Sequence, residues 1–139
     1  MTTSYVVADL MTIDPLVITA EARIEEAERL MELYNVSGLP VVDEGGLLVG
    51  VISQTDLLRG GGDIASAIRR RYTGLRVADL MTAPAITVEM ATPLEEAARR
   101  MRDERIHRVV AVNPHGQPIG VLSSMDFVTL YADESEAGR

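Results

Sequence analysis

The chain contains no cysteine, no tryptophan and no lysine. Without cysteine it can have no disulfide framework, thiolate metal site or cysteine nucleophile, and it suits a reducing compartment. With only one phenylalanine and four tyrosines, its core must be built from aliphatic side chains and the seven methionines. The absence of lysine excludes a glycine-rich phosphate loop ending in Lys-Ser/Thr. Thirteen arginines stand against twenty-one acids, a formal net charge of −8, so the overall field repels nucleic acid. Long apolar runs are missing too: stretches such as 47–52 fall far short of the ~20 residues that cross a bilayer. The first twelve residues carry Asp9 and no basic residue ahead of their apolar stretch, which does not read as a signal peptide. The expectation is a soluble, cytoplasmic protein with no membrane or nucleic-acid partner. Its 139 residues, 47% hydrophobic, suffice for one compact domain or two very small ones.

What the chain does contain is one passage written twice. Residues 7–12, Val-Ala-Asp-Leu-Met-Thr, recur letter for letter at 77–82. At the same offset of 70, without a gap, Glu25-Glu26-Ala27 meets Glu95-Glu96-Ala97, Met31 meets Met101, and Gly50-Val51-Ile52-Ser53 meets Gly120-Val121-Leu122-Ser123. Between residues 7–58 and 77–128 there are 17 identities in 52 positions, which marks a tandem duplication. A repeat of about 50 residues makes a poor core alone, so the two copies are expected to pack on each other as a pseudo-symmetric pair.

Each copy reads strand, helix, strand, strand, helix. Residues 16–19 and 85–88 are short apolar β-type runs. Ile24, Ala27, Leu30, Met31 and Tyr34 recur at helical spacing, with Glu25, Glu26, Glu28, Arg29 and Glu32 opposite them. In the second copy Thr92-Pro93-Leu94-Glu95 reads as an N-cap, a first-turn proline and a capping-box glutamate. Hairpins follow at 39–52 and 109–122, turning at Asp43-Glu44-Gly45-Gly46 and Asn113-Pro114-His115-Gly116. A last helix begins at Ser53 or Ser123. Gly60-Gly61-Gly62 ends the first copy, Asp63 can cap a connector helix through Arg71, and residues 133–139 form an acidic tail expected to fray. The boundaries are therefore 7–60 for the first repeat, 61–75 for a helical connector, 76–132 for the second repeat and 133–139 for the tail.

The chemistry concentrates where those last helices start. Ser53-x-x-Asp56 and Ser123-x-x-Asp126 have capping-box spacing, and on spacing alone the pattern is a helix cap. A helix N-terminus also suits an anion, and a carboxylate there can accept bonds from both hydroxyls of a ribose.

In order, Asp-Leu-Met-Thr, a short strand, the Glu-Ala helix, 37–43 (Ser-Gly-Leu-Pro-Val-Val-Asp) and 50–56 (Gly-Val-Ile-Ser-Gln-Thr-Asp) resemble a CBS domain. The second copy repeats the order through 106–112 and 120–126, so the whole resembles a CBS pair, or Bateman module, over about residues 7–131. The resemblance implies an α/β fold of two β-α-β-β-α repeats packed through their small sheets. It implies a regulatory sensor that binds AMP, ADP, ATP or S-adenosylmethionine in clefts between the repeats, forms a homodimer and modulates an unidentified partner protein. The ligand is regulatory, and no catalytic cofactor is implied.

Carried onto this chain, the resemblance gives Asp56 and Asp126 the ribose, and Ser53 and Ser123 the phosphate side. The adenine walls of the Asp56 pocket become Val51, Ile86 and Ile106; those of the Asp126 pocket become Val121, Leu16, Val36 and Ser37. Taken singly, each of these aliphatic residues also reads as plain core. His107-Arg108 stands where the first copy has Ser37-Gly38. The family places such a basic pair toward ligand phosphates; the alternative is an edge arginine paired with an acid. One basic pair for two clefts implies unequal sites.

Other functions are weighed against this. Two histidines, no cysteine and no metal-ligand spacing argue against an enzyme and a metal site. Gly60-Gly61-Gly62 follows a helix rather than a strand, so it is not a dinucleotide fingerprint. Arg69-Arg70-Arg71 is the one dense basic run and reads as a solvated face. An interaction or scaffold protein with non-functional clefts is the competing reading. The helix at 23–35 has two arginines and four glutamates, and its counterpart at 93–105 has four arginines and four acids. Head-to-tail pairing of two chains would set the more acidic helix on the more basic one.

Overall fold

The computed structural model describes residues 4–59 and 74–138. Gly60-Gly61-Gly62, the expected connector helix from Asp63 and Arg69-Arg70-Arg71 lie outside the described residues. The chain divides into two compact units, Leu16–Ala85 and Met1–Pro15 together with Ile86–Arg139.

In the Leu16–Ala85 unit, β2 (Ile18–Thr19), α2 (Ile24–Tyr34), β3 (Gly38–Val42), β4 (Leu48–Ser53) and α3 (Gln54–Arg59) are followed by a four-residue helix, α4 (Val77–Leu80). The sheet order is β2-β3-β4, with β2 parallel to β3 and β3 antiparallel to β4. The other unit begins with α1 (Val7–Leu10) and β1 (Thr12–Ile13) and resumes with β5 (Thr87–Val88), α5 (Leu94–Glu104), β6 (Arg108–Val112), β7 (Pro118–Ser123) and α6 (Ser124–Ala137). Its sheet runs β1-β7-β6-β5. The expected α/β class and the strand-helix-strand-strand-helix order are both present, once per unit.

Helical spacing produces the cores. Ile24, Ala27 and Met31 turn one face of α2 onto Leu39, Val41 and Ile52 of the sheet, with Ile18, Leu57 and Val77 completing the cluster. Leu94, Ala97 and Met101 do the same from α5 onto Val109, Ala111 and Leu122. Ile24 and Leu122 are fully buried, and truncating such a side chain to alanine costs about 2–5 kcal/mol.

The opening segment of each repeat belongs to the other repeat's unit. The Val7 and Ala8 amides donate to the carbonyls of Thr92 and Met90 at 2.9 and 3.0 Å. Their counterparts Val77 and Ala78 donate to Ala22 and Ala20 at 2.8 and 2.9 Å. Thr12 pairs with Val121, and Thr82 with Val51. Val7 and Val77, both fully buried, anchor these exchanges.

Several local expectations are corrected. Thr92 does not cap α5: its hydroxyl accepts the Glu89 amide at 3.0 Å, closing the turn before the helix, and Pro93 is the N-cap without a side-chain bond. The apolar runs at 16–19 and 85–88 pair over two residues each, because only Val41–Val42 and Val110–Ala111 lie alongside them. The hairpin strands begin or end one residue beyond the expected limits. In the segment expected to fray, α6 continues through Ala137, and the Tyr5 hydroxyl donates to Glu134 at 2.8 Å.

Candidate ligand-binding site

Each last helix starts with a closed serine-aspartate box. The Ser53 amide and hydroxyl donate to Asp56 Oδ2 at 2.9 and 3.0 Å, and the Asp56 amide donates back to Ser53 Oγ at 3.2 Å. Ser123 and Asp126 repeat this at 2.8, 3.1 and 3.4 Å. The antiparallel hairpin fixes where the box sits: Gly38 faces Ser53 and Arg108 faces Ser123, so each box closes one end of its sheet. The Gln54 amide donates to the Ser37 carbonyl, and the Ser124 amide to the His107 carbonyl, which ties the start of each hairpin to the helix. The capping role read from spacing is therefore present in both copies, and it commits Oδ2 of each aspartate.

The outer oxygens differ. Asp56 is 3% exposed, the one buried charged residue among the described residues, and its Oδ1 accepts the Thr82 hydroxyl at 3.1 Å. Asp126 is only half-buried. Among the described residues its hydrogen bonds are those of the box, all made through Oδ2 and the backbone. Thr82 was not among the residues singled out from sequence, and its participation had one signal, its place in the repeated Met-Thr pair.

The remaining predicted residues divide by unit. Val51, Ser53 and Asp56 share the Leu16–Ala85 unit with Leu16, Val36 and Ser37. Leu16 and Val36 pack against that unit's core, as the plain packing reading has it. Val121, Ser123 and Asp126 share the other unit with Ile86, Ile106, His107 and Arg108, and there Ile86 and Ile106 pack against the core. Val51 and Val121 are half-buried on β4 and β7. His107 is exposed, whereas Arg108 is half-buried, and burial pushes its guanidinium below the ordinary arginine value. Arginine starts so far above neutrality that it keeps its charge.

In the unit of Asp126, α5 and α6 flank a groove of about 400 Å³. Met101, Ile106 and Phe127 give it apolar walls, Arg102 and Arg105 give it cationic ones, and His107 lies beside them. At the matching positions the first copy has Glu32, Asn35 and Ser37, so the cationic character belongs to the second copy. Among the described residues no cluster of acids and histidines is placed to hold a metal ion, and no helix is long and apolar enough to cross a membrane.

Two units of like topology, each closing its sheet with a serine-aspartate box, define a tandem-repeat module. A profile of the CBS domain matches residues 7–62 and 77–133, and the chain belongs to the CBS domain family. It is 32% identical to the structure of CBSX2 in complex with AMP, with a TM-score of 0.81, covering 94% of this chain and 98% of that one. The CBS domain pair of the protein MJ0100, in complex with 5′-methylthioadenosine and S-adenosyl-L-methionine, is 25% identical with a TM-score of 0.79, over 91% and 99% of the two chains. Inosine-5′-monophosphate dehydrogenase of Streptococcus pyogenes is 30% identical over 133 residues, 91% of this chain and 25% of the enzyme. The chain thus spans about a quarter of the length of the curated relatives it matches first.

Proposed function

We propose that the chain is a regulatory sensor that binds an adenosyl compound, an adenine nucleotide or S-adenosylmethionine, and modulates a partner protein. The carrying observation is the pair of helix-start aspartates, each with Oδ2 fixed by its own box. A carboxylate held in one orientation is a prepared acceptor for a ribose diol, since its orientational freedom is lost before the ligand arrives. In this reading Val51, Val121, Leu16, Val36, Ile86 and Ile106 supply apolar walls for adenine. Ser37 joins them, Ser53 and Ser123 stand on the phosphate side, and His107 and Arg108 meet the phosphates. The AMP complex of CBSX2, and the 5′-methylthioadenosine and S-adenosyl-L-methionine complex of MJ0100, support the ligand class.

The module regulates rather than catalyses, and its ligand is a signal. It works as a homodimer in the cytoplasm. Exposed apolar side chains on α2 and α6 support the dimer, and the lack of cysteine suits the compartment. The test is a thermal-shift panel of AMP, ATP, S-adenosylmethionine and NAD. A ligand at a hundredfold excess over its Kd adds about 2.7 kcal/mol to stability, an easily read rise in Tm. Silence across the panel would leave the chain an interaction protein with unused clefts.

A further inference from the structure

We infer that Thr82 is a built-in occupant of the Asp56 carboxylate, so that the two repeats are unequal and Asp126 is the open acceptor. The inference rests on the adenosyl reading above and says which of the two aspartates the ligand takes first. The two positions are equivalent in sequence and nearly so in backbone. Thr82 and Thr12 close the same Met-Thr pair; Thr82 bridges to Val51, and Thr12 to Val121. In the Leu16–Ala85 unit the Thr82 hydroxyl donates to Asp56 Oδ1 at 3.1 Å, and Asp56 is buried beneath it. In the other unit the Thr12 hydroxyl makes no such bond, and Asp126 keeps Oδ1 free of protein partners among the described residues.

A threonine hydroxyl on a carboxylate oxygen offers the same O–H···O⁻ bond that a ribose hydroxyl would. A ligand arriving at Asp56 must therefore break an existing charge-assisted bond to make its own, and the exchange gains nothing. At Asp126 it exchanges only water. Hydrogen bonds to charged groups separate the two cases by about tenfold or more in affinity. Thr82 is exposed, so its side chain has room to rotate away and release Asp56 at high ligand concentration. The pair of repeats then responds in two stages, first at Asp126 and later at Asp56.

The test is calorimetric titration of the full chain with AMP, using wild type and the variants Asp126→Asn, Asp56→Asn, Thr82→Ala and Thr82→Ser. The expected results are one tight site per chain in wild type and Thr82→Ser, loss of that site in Asp126→Asn, and its retention in Asp56→Asn. Thr82→Ala, which leaves both capping boxes intact, should bring a second site to within a fewfold of the first. Two equal sites in wild type overturn the inference, as does a tight site lost in Asp56→Asn but kept in Asp126→Asn, or a Thr82→Ala titration identical to wild type. Each of those results leaves adenosyl binding standing. No heat with AMP, ATP or S-adenosylmethionine in any variant removes the adenosyl reading, and this inference with it.

Discussion

Gly50 and Thr82 meet so closely that a Cβ on Gly50 would stand 2.8 Å from the Thr82 carbonyl oxygen and 2.9 Å from the Met81 sulfur. Gly120 repeats the arrangement against Met11 and the carbonyl oxygen of Thr12. The two glycines let the exchanged Met-Thr segment pair with the hairpin strand. Methionine can swing aside, but a carbonyl held in a strand pairing cannot. Gly50→Ala and Gly120→Ala should each destabilise by about 1–3 kcal/mol, the usual cost of overpacking. Gly45→Ala is the control, since its Cβ would meet only Asp43 at an ordinary 3.4 Å. Chemical denaturation of the three variants checks this; equal midpoints for all three would contradict it.

The helix ends give a second expectation, in the opposite direction. Asn35 and Arg105 terminate α2 and α5 in the left-handed region, at φ of 53° and 55°. Asparagine tolerates that conformation because its short polar side chain bonds locally, whereas arginine brings an uncompensated Cβ clash. Arg105→Asn should therefore stabilise the protein by about 0.5–1 kcal/mol, a gain drawn from the roughly 1–2 kcal/mol left-handed penalty. A Tm unchanged or lowered in Arg105→Asn would refute the strain at this position. The same variant removes one cation from the groove between α5 and α6.

On α2 the Arg29 guanidinium donates two bonds to Glu26, at 2.8 and 3.2 Å. These bonds hold the Glu26 carboxyl below its ordinary value of 4.5. A carboxylate depressed in the folded state adds stability above its unfolded pKa, and loses it as pH falls through the folded one. The window therefore lies below about pH 5. The pair lies at the solvent-facing surface of α2, so its effect on Tm should be slight. The direct readout is a carboxyl-carbon NMR titration: Glu26 should titrate below the ordinary glutamate value, and Arg29→Ala should return it there. A Glu26 curve unaffected by Arg29→Ala would show that the ion pair is not formed in solution.

These features differ in how far the letters disclosed them. The offset of 70, the helical spacing of Ile24, Ala27 and Met31, and the hairpin turns at Asp43 and Asn113 carried the topology, because burial periodicity and turn chemistry are local. Asp43 Oδ1 accepts the Gly45 and Leu47 amides, and Asn113 Oδ1 accepts those of His115 and Gln117. The segment exchange was not legible. Residues 7–12 and 77–82 are identical, so no pattern within them says which copy each one joins. The inequality of Asp56 and Asp126 was hidden for the same reason: Thr12 and Thr82 are the same letter in the same context, and only the geometry separates them. The asymmetry at Ser37-Gly38 against His107-Arg108 was legible because there the residues themselves differ.

The last expectation concerns assembly. Met125, Val128 and Tyr131 lie three residues apart on α6 and are 65%, 57% and 77% exposed. On α2, Leu33 and Tyr34 are 64% and 57% exposed. Apolar stripes this open on both helices are what a monomer avoids and an interface uses. The charges sort the same way: α2 carries Glu25, Glu26, Glu28 and Glu32, while the groove beside α6 carries Arg102 and Arg105. A head-to-tail homodimer would bring each acidic helix to a cationic groove and cover both stripes. Light scattering should then give twice 15.1 kDa for the wild type, and Val128→Glu should shift the mass to that of one chain. Val128 is exposed within its own unit, so the variant should fold normally, with a stability change within about 0.5 kcal/mol apart from any loss due to dissociation. Glu32→Arg, which places like charge against the groove, should weaken the dimer in a salt-dependent way, whereas a head-to-head arrangement predicts little change. A wild type that scatters as a monomer at micromolar concentration would end the dimer proposal while leaving the binding sites as they stand.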